Sequence, residues 1–192
     1  MKTTLASACF LRACLLSTLL LGAAACGKKD SDDANPNDPT ATAAVNEVHW
    51  QLNGTEYVGR DIAQAQAHYR PTTQNNLPAT AKDMLIIAHD DKNYQISVLM
   101  TNFTGVGTYS LTPTNGMIGS FTPMDGSKLT YSSLWSVKAP AGQFVVTEFD
   151  AAKSILKGTF TFNARIQYSG GTYSPDQTLT GGTFDFKKLV VY

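Results

Sequence analysis

Cysteine is scarce in this chain, and none follows position 26. The three that are present, Cys9, Cys14 and Cys26, lie within or directly after a hydrophobic N-terminal stretch. Because disulfides and thiol nucleophiles both need cysteine, the remaining sequence excludes disulfide bonding and cysteine catalysis. A fold built from that sequence must therefore be stabilised by its own hydrophobic core.

An excess of charge of either sign is also lacking. The chain carries 15 Lys plus Arg and 15 Asp plus Glu, which gives a formal net charge of zero at pH 7. Binding to a nucleic-acid backbone requires a basic face that neutralises phosphates. Because the basic residues form no such cluster, we expect no nucleic-acid partner.

Motifs of catalysis and metal binding are missing as well. His49, His68 and His89 are too far apart in sequence to supply a metal-binding pair, and no Gly-x-Ser-x-Gly segment is present. His89 is followed by Asp90 and Asp91, but such a polar run is typical of a hairpin turn. We therefore expect no metal ion, no cofactor and no catalytic residue.

The one apolar run is too short to span a bilayer. Residues 13–21 read ACLLSTLLL, whereas a spanning helix needs about 20 apolar residues, so the run indicates a signal peptide. Small residues and then Cys26 follow. The segment resembles the lipobox of bacterial lipoproteins, although Ala23 stands where that motif usually has Leu. The resemblance implies that residues 1–25 are a lipoprotein signal peptide and that Cys26 carries the lipid that binds the membrane.

Residues 26–45 are predicted to comprise the lipidated Cys26 and a disordered tether. Pro36 and Pro39 stand among Asn, Asp and Thr, a composition that disfavours regular structure. The acidic residues resemble a surface-export signal of lipoproteins in Bacteroidota-type bacteria, and Gly27 is not the Asp that retains enterobacterial lipoproteins at the inner membrane. We expect a lipid anchor in the outer membrane and leave the cell surface open. The alternative is that these charges only keep a linker solvated.

Strict alternation of apolar and polar residues is the main structural signal. The even positions from Leu156 to Tyr168 hold apolar residues or glycine, and the odd positions between them are polar. This period of two predicts a β-strand with one buried and one solvated face, as in antiparallel sheets. We predict that residues 46–192 form a single all-β domain, an antiparallel meander folded into a β-sandwich or a flattened lipocalin-like barrel.

Further strands follow the same pattern. Residues 84–88 and 94–100 flank a polar turn and predict one hairpin, and residues 144–149 predict a second hairpin with the long alternating strand. Residues 183–191 predict a final strand, with a bulge where the apolar parity changes at Lys187 and Lys188. Residues 62–69 alternate too, and we predict a strand there.

A unit of glycine, hydroxyl residue and aromatic recurs at irregular spacing and is expected to mark strand starts. It begins at the following positions: Gly107, Gly119, Gly158, Gly171 and Gly182. Glycine suits the end of a turn, and threonine and aromatic residues favour strands. The irregular spacing argues against a propeller or a solenoid.

The C-terminal third resembles a family of uncharacterised small β-rich lipoproteins that is common in Bacteroidota. The resemblance rests on these residues: Gly142, Val146, Thr147, Phe149, Asp150, Gly158, Thr159, Phe160, Phe162, Thr180, Gly182 and Phe184. It implies a lipoprotein with β-structure. The family has no assigned activity, so the resemblance transfers no catalytic residue.

Aromatic residues give the only indication of a ligand. Trp50, Tyr131 and Trp135, with Tyr168 and Tyr173, are candidates for stacking on sugar rings, although most aromatics in such a chain fill the core. We expect a non-enzymatic binding or accessory module of the envelope, with a glycan or a protein as its partner.

Two other functions stay open. The first is a glycan-directed hydrolase whose acids, Glu148, Asp150 and Asp185, are dispersed along strands. The second is a purely structural envelope subunit.

Overall fold

The computed structural model describes residues 45–91, 94–112 and 114–192, which form two β-sheets packed on one core. Cys26, the signal peptide and residues 26–44 of the tether lie outside the described residues. The strands are β1 (Glu47–Leu52), β2 (Thr55–Arg60), β3 (Ala65–Pro71), β4 (Lys82–His89), β5 (Tyr94–Met100), β6 (Gly107–Leu111), β7 (Ile118–Pro123), β8 (Tyr131–Ser132), β9 (Gly142–Asp150), β10 (Ile155–Ala164), β11 (Gln177–Phe186) and β12 (Val190–Val191). Within that part of the chain, no helix has the length and hydropathy to span a membrane.

Each sheet has six strands. Sheet A has the order β2-β1-β11-β10-β9-β6, and sheet B has the order β12-β3-β4-β5-β7-β8. All neighbours are antiparallel except β12 and β3, which are parallel. A single bridge between Ser132 and Arg165 joins the sheets at one corner, and no continuous ladder among the described residues closes a barrel. The predicted all-β sandwich is confirmed, and the barrel alternative is wrong.

The long alternation has the predicted burial. In β10, Leu156, Phe160 and Phe162 are buried, while Thr159 between them is exposed. The strand ends at Ala164, earlier than predicted, because the chain then turns to form the corner bridge. Both predicted hairpins are confirmed, since β4 pairs with β5 and β9 pairs with β10.

Two Gly-Thr-Phe segments pair with each other in the centre of sheet A. Gly158 lies opposite Phe184, and Phe160 lies opposite Gly182. A Cβ atom at Gly182 would lie 2.5 Å from the Phe160 ring, and one at Gly158 would lie 2.5 Å from the Phe184 ring. Each phenylalanine therefore covers the glycine of the other segment, and the two rings stack with centroids 6.4 Å apart.

The prediction that the unit of glycine, hydroxyl residue and aromatic marks strand starts is therefore wrong at Gly158 and Gly182. Both glycines lie inside strands, because a phenylalanine ring of the neighbouring strand occupies the space that a side chain would fill. The prediction is right for Gly107, the first residue of β6. Gly119 lies inside β7, where a Cβ atom would come within 2.9 Å of the Phe162 ring from the other sheet. Gly171 occupies a turn with φ +75°.

The predicted final strand is two strands in different sheets. The chain leaves sheet A after Phe186, the last residue of β11, and then enters sheet B as β12. The parity change at Lys187 and Lys188 is thus a crossover between sheets, and the predicted bulge there is wrong. After the crossover, Leu189 packs partly against the core, whereas Val191 is exposed.

Buried Asn46 holds this crossover in place. Its side-chain Oδ1 accepts hydrogen bonds from the backbone N–H groups of Lys187 at 3.0 Å and Lys188 at 2.9 Å. Its Nδ2 donates to the carbonyls of Ala65 at 3.0 Å and Lys188 at 3.1 Å. One carboxamide therefore joins the start of β1, the start of β3 and the segment between β11 and β12.

The predicted strand at residues 62–69 is right only in its second half. A single helical turn, α1 (Asp61–Gln64), precedes β3. Asp61 has φ +61°, and its Oδ1 accepts a hydrogen bond from the N–H of Ala63 at 2.7 Å. This local bond stabilises a turn that the alternation of alanine and glutamine did not indicate.

Candidate functional site

An exposed group of aromatic rings lies at one end of the sandwich, where β8 and β10 meet. Trp135 is 36% exposed, Tyr173 is 40% exposed, and their ring centroids are 6.5 Å apart. The guanidinium carbon of Arg165 lies 4.1 Å from the centroid of the Tyr173 ring, in cation–π geometry. Tyr168, which is 45% exposed, belongs to the same loop as Tyr173. We call Trp135, Arg165, Tyr168 and Tyr173 the aromatic platform.

The position of Trp135 follows from its local sequence. A 3-10 turn, Ser133–Trp135, begins directly after β8, and the Oγ of Ser132 accepts a hydrogen bond from the N–H of Leu134 at 3.3 Å. The Oγ of buried Ser133 accepts from the N–H of Gly119 at 3.0 Å. The Nε of Arg165 donates to the carbonyl of Trp135. The tryptophan is therefore held from both sheets.

The loop between β10 and β11 holds the two tyrosines. Ile166 N–H donates to the Oγ of Ser174 at 3.0 Å, and the backbones of Gln167 and Tyr173 form a bridge. The Nε2 of Gln167 also donates to the hydroxyl of Tyr173 at 3.2 Å. These bonds give a short, ordered turn whose aromatic rings remain partly accessible to solvent.

The other two predicted stacking residues are placed differently. Trp50 is 1% exposed and stacks on Tyr57 inside the core, so a sugar cannot reach its ring, and it is withdrawn as a ligand residue. Its even position in β1 puts it on the inner face. Tyr131 stacks on Phe121 with centroids 4.3 Å apart, and burial raises the pKa of its hydroxyl. Tyr131 therefore packs against the core and is not part of the aromatic platform.

The dispersed acids of the hydrolase alternative occur on the outer face of sheet A or in a turn. Glu148 pairs with Lys157 at 3.0 Å, and Asp185 pairs with Lys187 at 2.8 Å. The hydrogen bond with Glu148 is the main reason why the pKa of Lys157 is raised. Across five strands, the register gives one charged row, composed of Arg60, Glu47, Asp185, Lys157 and Glu148.

Asp150 forms the turn between β9 and β10. Its Oδ1 accepts hydrogen bonds from the N–H groups of Ala152 and Lys153, each at 3.0 Å. The backbone bond from Lys153 is the largest cause of the lowered pKa of this carboxyl. A general acid needs a raised pKa, so the environment of Asp150 suits a turn better than acid catalysis.

The His89-Asp90-Asp91 segment has local partners. Oδ1 of buried Asp90 accepts from the N–H of Tyr94 at 2.8 Å, and Asp91 accepts from the side chain of Gln64. His89 Nε2 lies 3.1 Å from the carbonyl of Ala63. Within residues 45–91, 94–112 and 114–192, no three His, Cys, Asp or Glu side chains gather into a metal-binding group.

Two features at this end of the sandwich, the cation Arg165 and a polar pocket, were not predicted from the sequence. Arg165 was counted only as a polar position of the alternation, although a cation close in sequence to Tyr168 and Tyr173 was a usable signal. A pocket of about 440 Å³, lined mainly by carboxamide and hydroxyl side chains, lies in the loops of sheet B. The run Gln74-Asn75-Asn76 was its sequence signal.

A comparison with protein families places most of this structure in one family. The family described as a domain of unknown function (DUF6252) matches residues 63–188. The match spans β3 to β11 and therefore includes the paired Gly-Thr-Phe segments and the aromatic platform. No curated protein and no solved structure matches the chain.

Proposed function

The chain belongs to the DUF6252 family of domains of unknown function, and from its exposed aromatic platform we propose that it is a non-enzymatic glycan-binding module of a bacterial envelope. In this proposal it is a lipoprotein of a Bacteroidota-type bacterium, and the lipid on Cys26 anchors it in the outer membrane. The described domain presents the aromatic platform to a polysaccharide.

The observation that carries this proposal is the exposure of ordered aromatic rings beside a cation. Large aromatic side chains are normally buried, and an exposed group of them marks a binding surface. The C–H groups on one face of a sugar ring pack on aromatic rings, and its hydroxyls bond to neighbouring polar groups. Trp135 and Tyr173 supply the rings, and Arg165 supplies N–H donors beside them.

The surroundings of the acids favour binding over hydrolysis. A glycosidase needs two carboxyl groups that flank one bond, about 5–10 Å apart, with one pKa raised. Glu148 and Asp185 are each held by a lysine, and Asp150 is held in its turn. All three lie on other elements than the aromatic platform.

Binding to insoluble and soluble polysaccharides tests the role of the platform. We expect the full chain to bind at least one envelope or plant glycan, and we expect Trp135→Ala to weaken binding by about tenfold or more. Tyr192→Ala is the matched control, because it removes another exposed ring that lies at β12, outside the platform. Equal binding by both variants would refute the platform, and no glycan binding at all would favour a protein partner or a structural role.

An assay for reducing-end release on the same glycans tests the non-enzymatic part. We expect no release by the parent chain. Release that is lost in Glu148→Gln or Asp150→Asn would replace this proposal with the dispersed-acid hydrolase.

The anchor is tested separately in cells by labelling with a radioactive fatty acid. Cys26→Ala should abolish the label and release the protein from membranes, because lipid chains supply the hydrophobic attachment. The control is Cys14→Ala, which changes a cysteine inside the predicted signal peptide. Equal labelling of Cys26→Ala and the parent would contradict the lipoprotein proposal.

A further inference from the structure

A polar pocket opens between three loops at the end of sheet B. It has a volume of about 440 Å³, within the usual range of small-molecule sites. Its walls are the β3–β4 loop, the residues that follow β5, and the β6–β7 loop. The lining residues are Gln74, Asn76, Leu77, Thr101, Asn102, Thr114, Asn115, Gly116 and Met117.

A buried carboxylate fixes two of these walls. Asp83, which is 1% exposed, lies in β4 and does not itself line the pocket. Its Oδ1 accepts a hydrogen bond from the N–H of Asn102 at 3.1 Å, and its Oδ2 accepts from the N–H of Thr73 at 3.4 Å. One side chain thus holds the β3–β4 loop and the end of β5 at a set separation.

The third wall is fixed by Asn115. The hydroxyl of buried Thr101 donates to the carbonyl of Asn115 at 2.8 Å. The Oδ1 of Asn115 accepts from the N–H of Met117 at 3.1 Å, and its Nδ2 donates to the carbonyl of Ser110. The carboxamide of Asn115 is therefore committed to shaping the pocket.

Three other carboxamides line the pocket with no hydrogen-bond partner among the described residues. They belong to Gln74, Asn76 and Asn102, and each offers two donors and one acceptor oxygen to a ligand. Leu77 and Met117 add apolar surface. Of the described lining residues, none carries a charge.

We propose that this pocket binds a neutral, hydroxyl-rich ring such as a monosaccharide unit. Adjacent hydroxyls each act as donor and acceptor, which matches a carboxamide, and the C–H face of the ring suits Leu77 and Met117. An anionic ligand would lose its hydration without a counter-charge, because none of the described lining residues is charged. This site stands on its own geometry, whether or not the aromatic platform binds glycan.

Titration of the isotope-labelled full chain, followed by NMR, tests the proposal. The probes are glucose, galactose, mannose, N-acetylglucosamine and the anionic glucuronate, each raised to tens of millimolar. At least one neutral sugar should shift the side-chain amide signals of Gln74, Asn76 and Asn102. Gln74→Ala and Asn76→Ala should each weaken that binding by about 3- to 10-fold, as expected for the loss of one or two net hydrogen bonds.

Asn75→Ala is the matched control, because Asn75 lies between these two residues and is exposed but does not line the pocket. It should leave the affinity unchanged. Shifts confined to the signals of Trp135 and Tyr173 would assign binding to the platform and overturn the pocket. So would tighter binding of glucuronate than of its neutral counterpart, equal loss in Asn75→Ala, or no shift with any neutral sugar.

Discussion

The centre of sheet A and the platform end of the sandwich both depend on aromatic rings, but they use them in opposite ways. In the centre, the rings of Phe160 and Phe184 are buried and fill the space above glycines on the neighbouring strand. At the end, the rings of Trp135 and Tyr173 are partly exposed and touch each other and a cation. The first arrangement buries aromatic surface against neighbouring strands, and the second leaves aromatic surface open to a ligand.

This difference separates residues that hold the fold from residues that are available for binding. A buried ring contributes to stability through the apolar area that it removes from water and through close packing. A half-exposed ring contributes much less, so its presence calls for another explanation. Four predictions test this separation, in order of decreasing effect on stability.

The largest effect is expected for the central ring. Phe160→Ala should lower the free energy of unfolding by about 3–5 kcal/mol, because it removes a buried ring and uncovers Gly182. The measurement is urea denaturation followed by tryptophan fluorescence. Thr159→Ala, an exposed neighbour in the same strand, should cost less than about 1 kcal/mol. Similar losses for the two variants would mean that the two faces of β10 are assigned wrongly.

A smaller loss is expected when the glycine is filled. Gly182→Ala should cost about 1–3 kcal/mol, because the new Cβ atom would lie 2.5 Å from both the ring and the carbonyl oxygen of Phe160. Gly170→Ala is the control, since a Cβ atom there meets nothing within 4 Å. In a double-mutant cycle, part of the cost of Gly182→Ala should disappear in Phe160→Ala; strict additivity would contradict the covering of glycine by the ring.

Changes at the platform should barely affect stability. Trp135→Ala should cost less than about 1 kcal/mol, because the ring is more than a third exposed and its neighbouring ring, Tyr173, is itself exposed. The same variant is expected to lose glycan binding. Trp135→Ala should therefore reduce glycan binding more than Phe160→Ala does, whereas Phe160→Ala should lower the melting temperature more. A large fall in melting temperature for Trp135→Ala would place it with the core.

The smallest effect concerns pH. Hydrogen bonds from the turn lower the pKa of Asp150 below its ordinary value of 3.8, so the folded state favours the carboxylate. The resulting stabilisation is present above that ordinary pKa and is lost as the pH falls through the lowered folded value. Asp150→Asn keeps an acceptor oxygen without the charge, and its small deficit in stability at pH 7 should shrink as the pH falls below 3.8. A deficit that stays constant with pH would show that the charge is unimportant.

The regular parts of the fold were predictable because alternation reports burial directly. The inner face of β10 and the two hairpins follow from period-two patterns with polar turns between them. Such a pattern does not say to which sheet a strand belongs. The apolar parity changes at Lys187 and Lys188, but this change alone does not distinguish a bulge within one sheet from a crossover to the other sheet.

The site was only partly predictable for a related reason. Trp135 and Trp50 are the same residue type in a β-rich sequence, and only the fold shows that one ends a turn at the rim while the other lies on an inner face. The distance between Trp135 and Tyr173 in sequence conceals their contact, which depends on the corner bridge between Ser132 and Arg165. Contacts of this kind arise from tertiary pairing and leave no local period in the sequence.

The hydrogen bonds of the Asn46 side chain also affect how the domain responds to mechanical load. A pull on the chain before residue 46 enters the domain at β1, which is hydrogen-bonded to β2 on one side and to β11 on the other. When the force acts along the axis of β1, the hydrogen bonds to β2 and to β11 are loaded in shear. Many of these hydrogen bonds must then break together instead of one after another. The Asn46 side chain adds its bonds to Ala65, Lys187 and Lys188 at the point of entry. Pulling from this end should therefore meet high resistance before the first strand detaches.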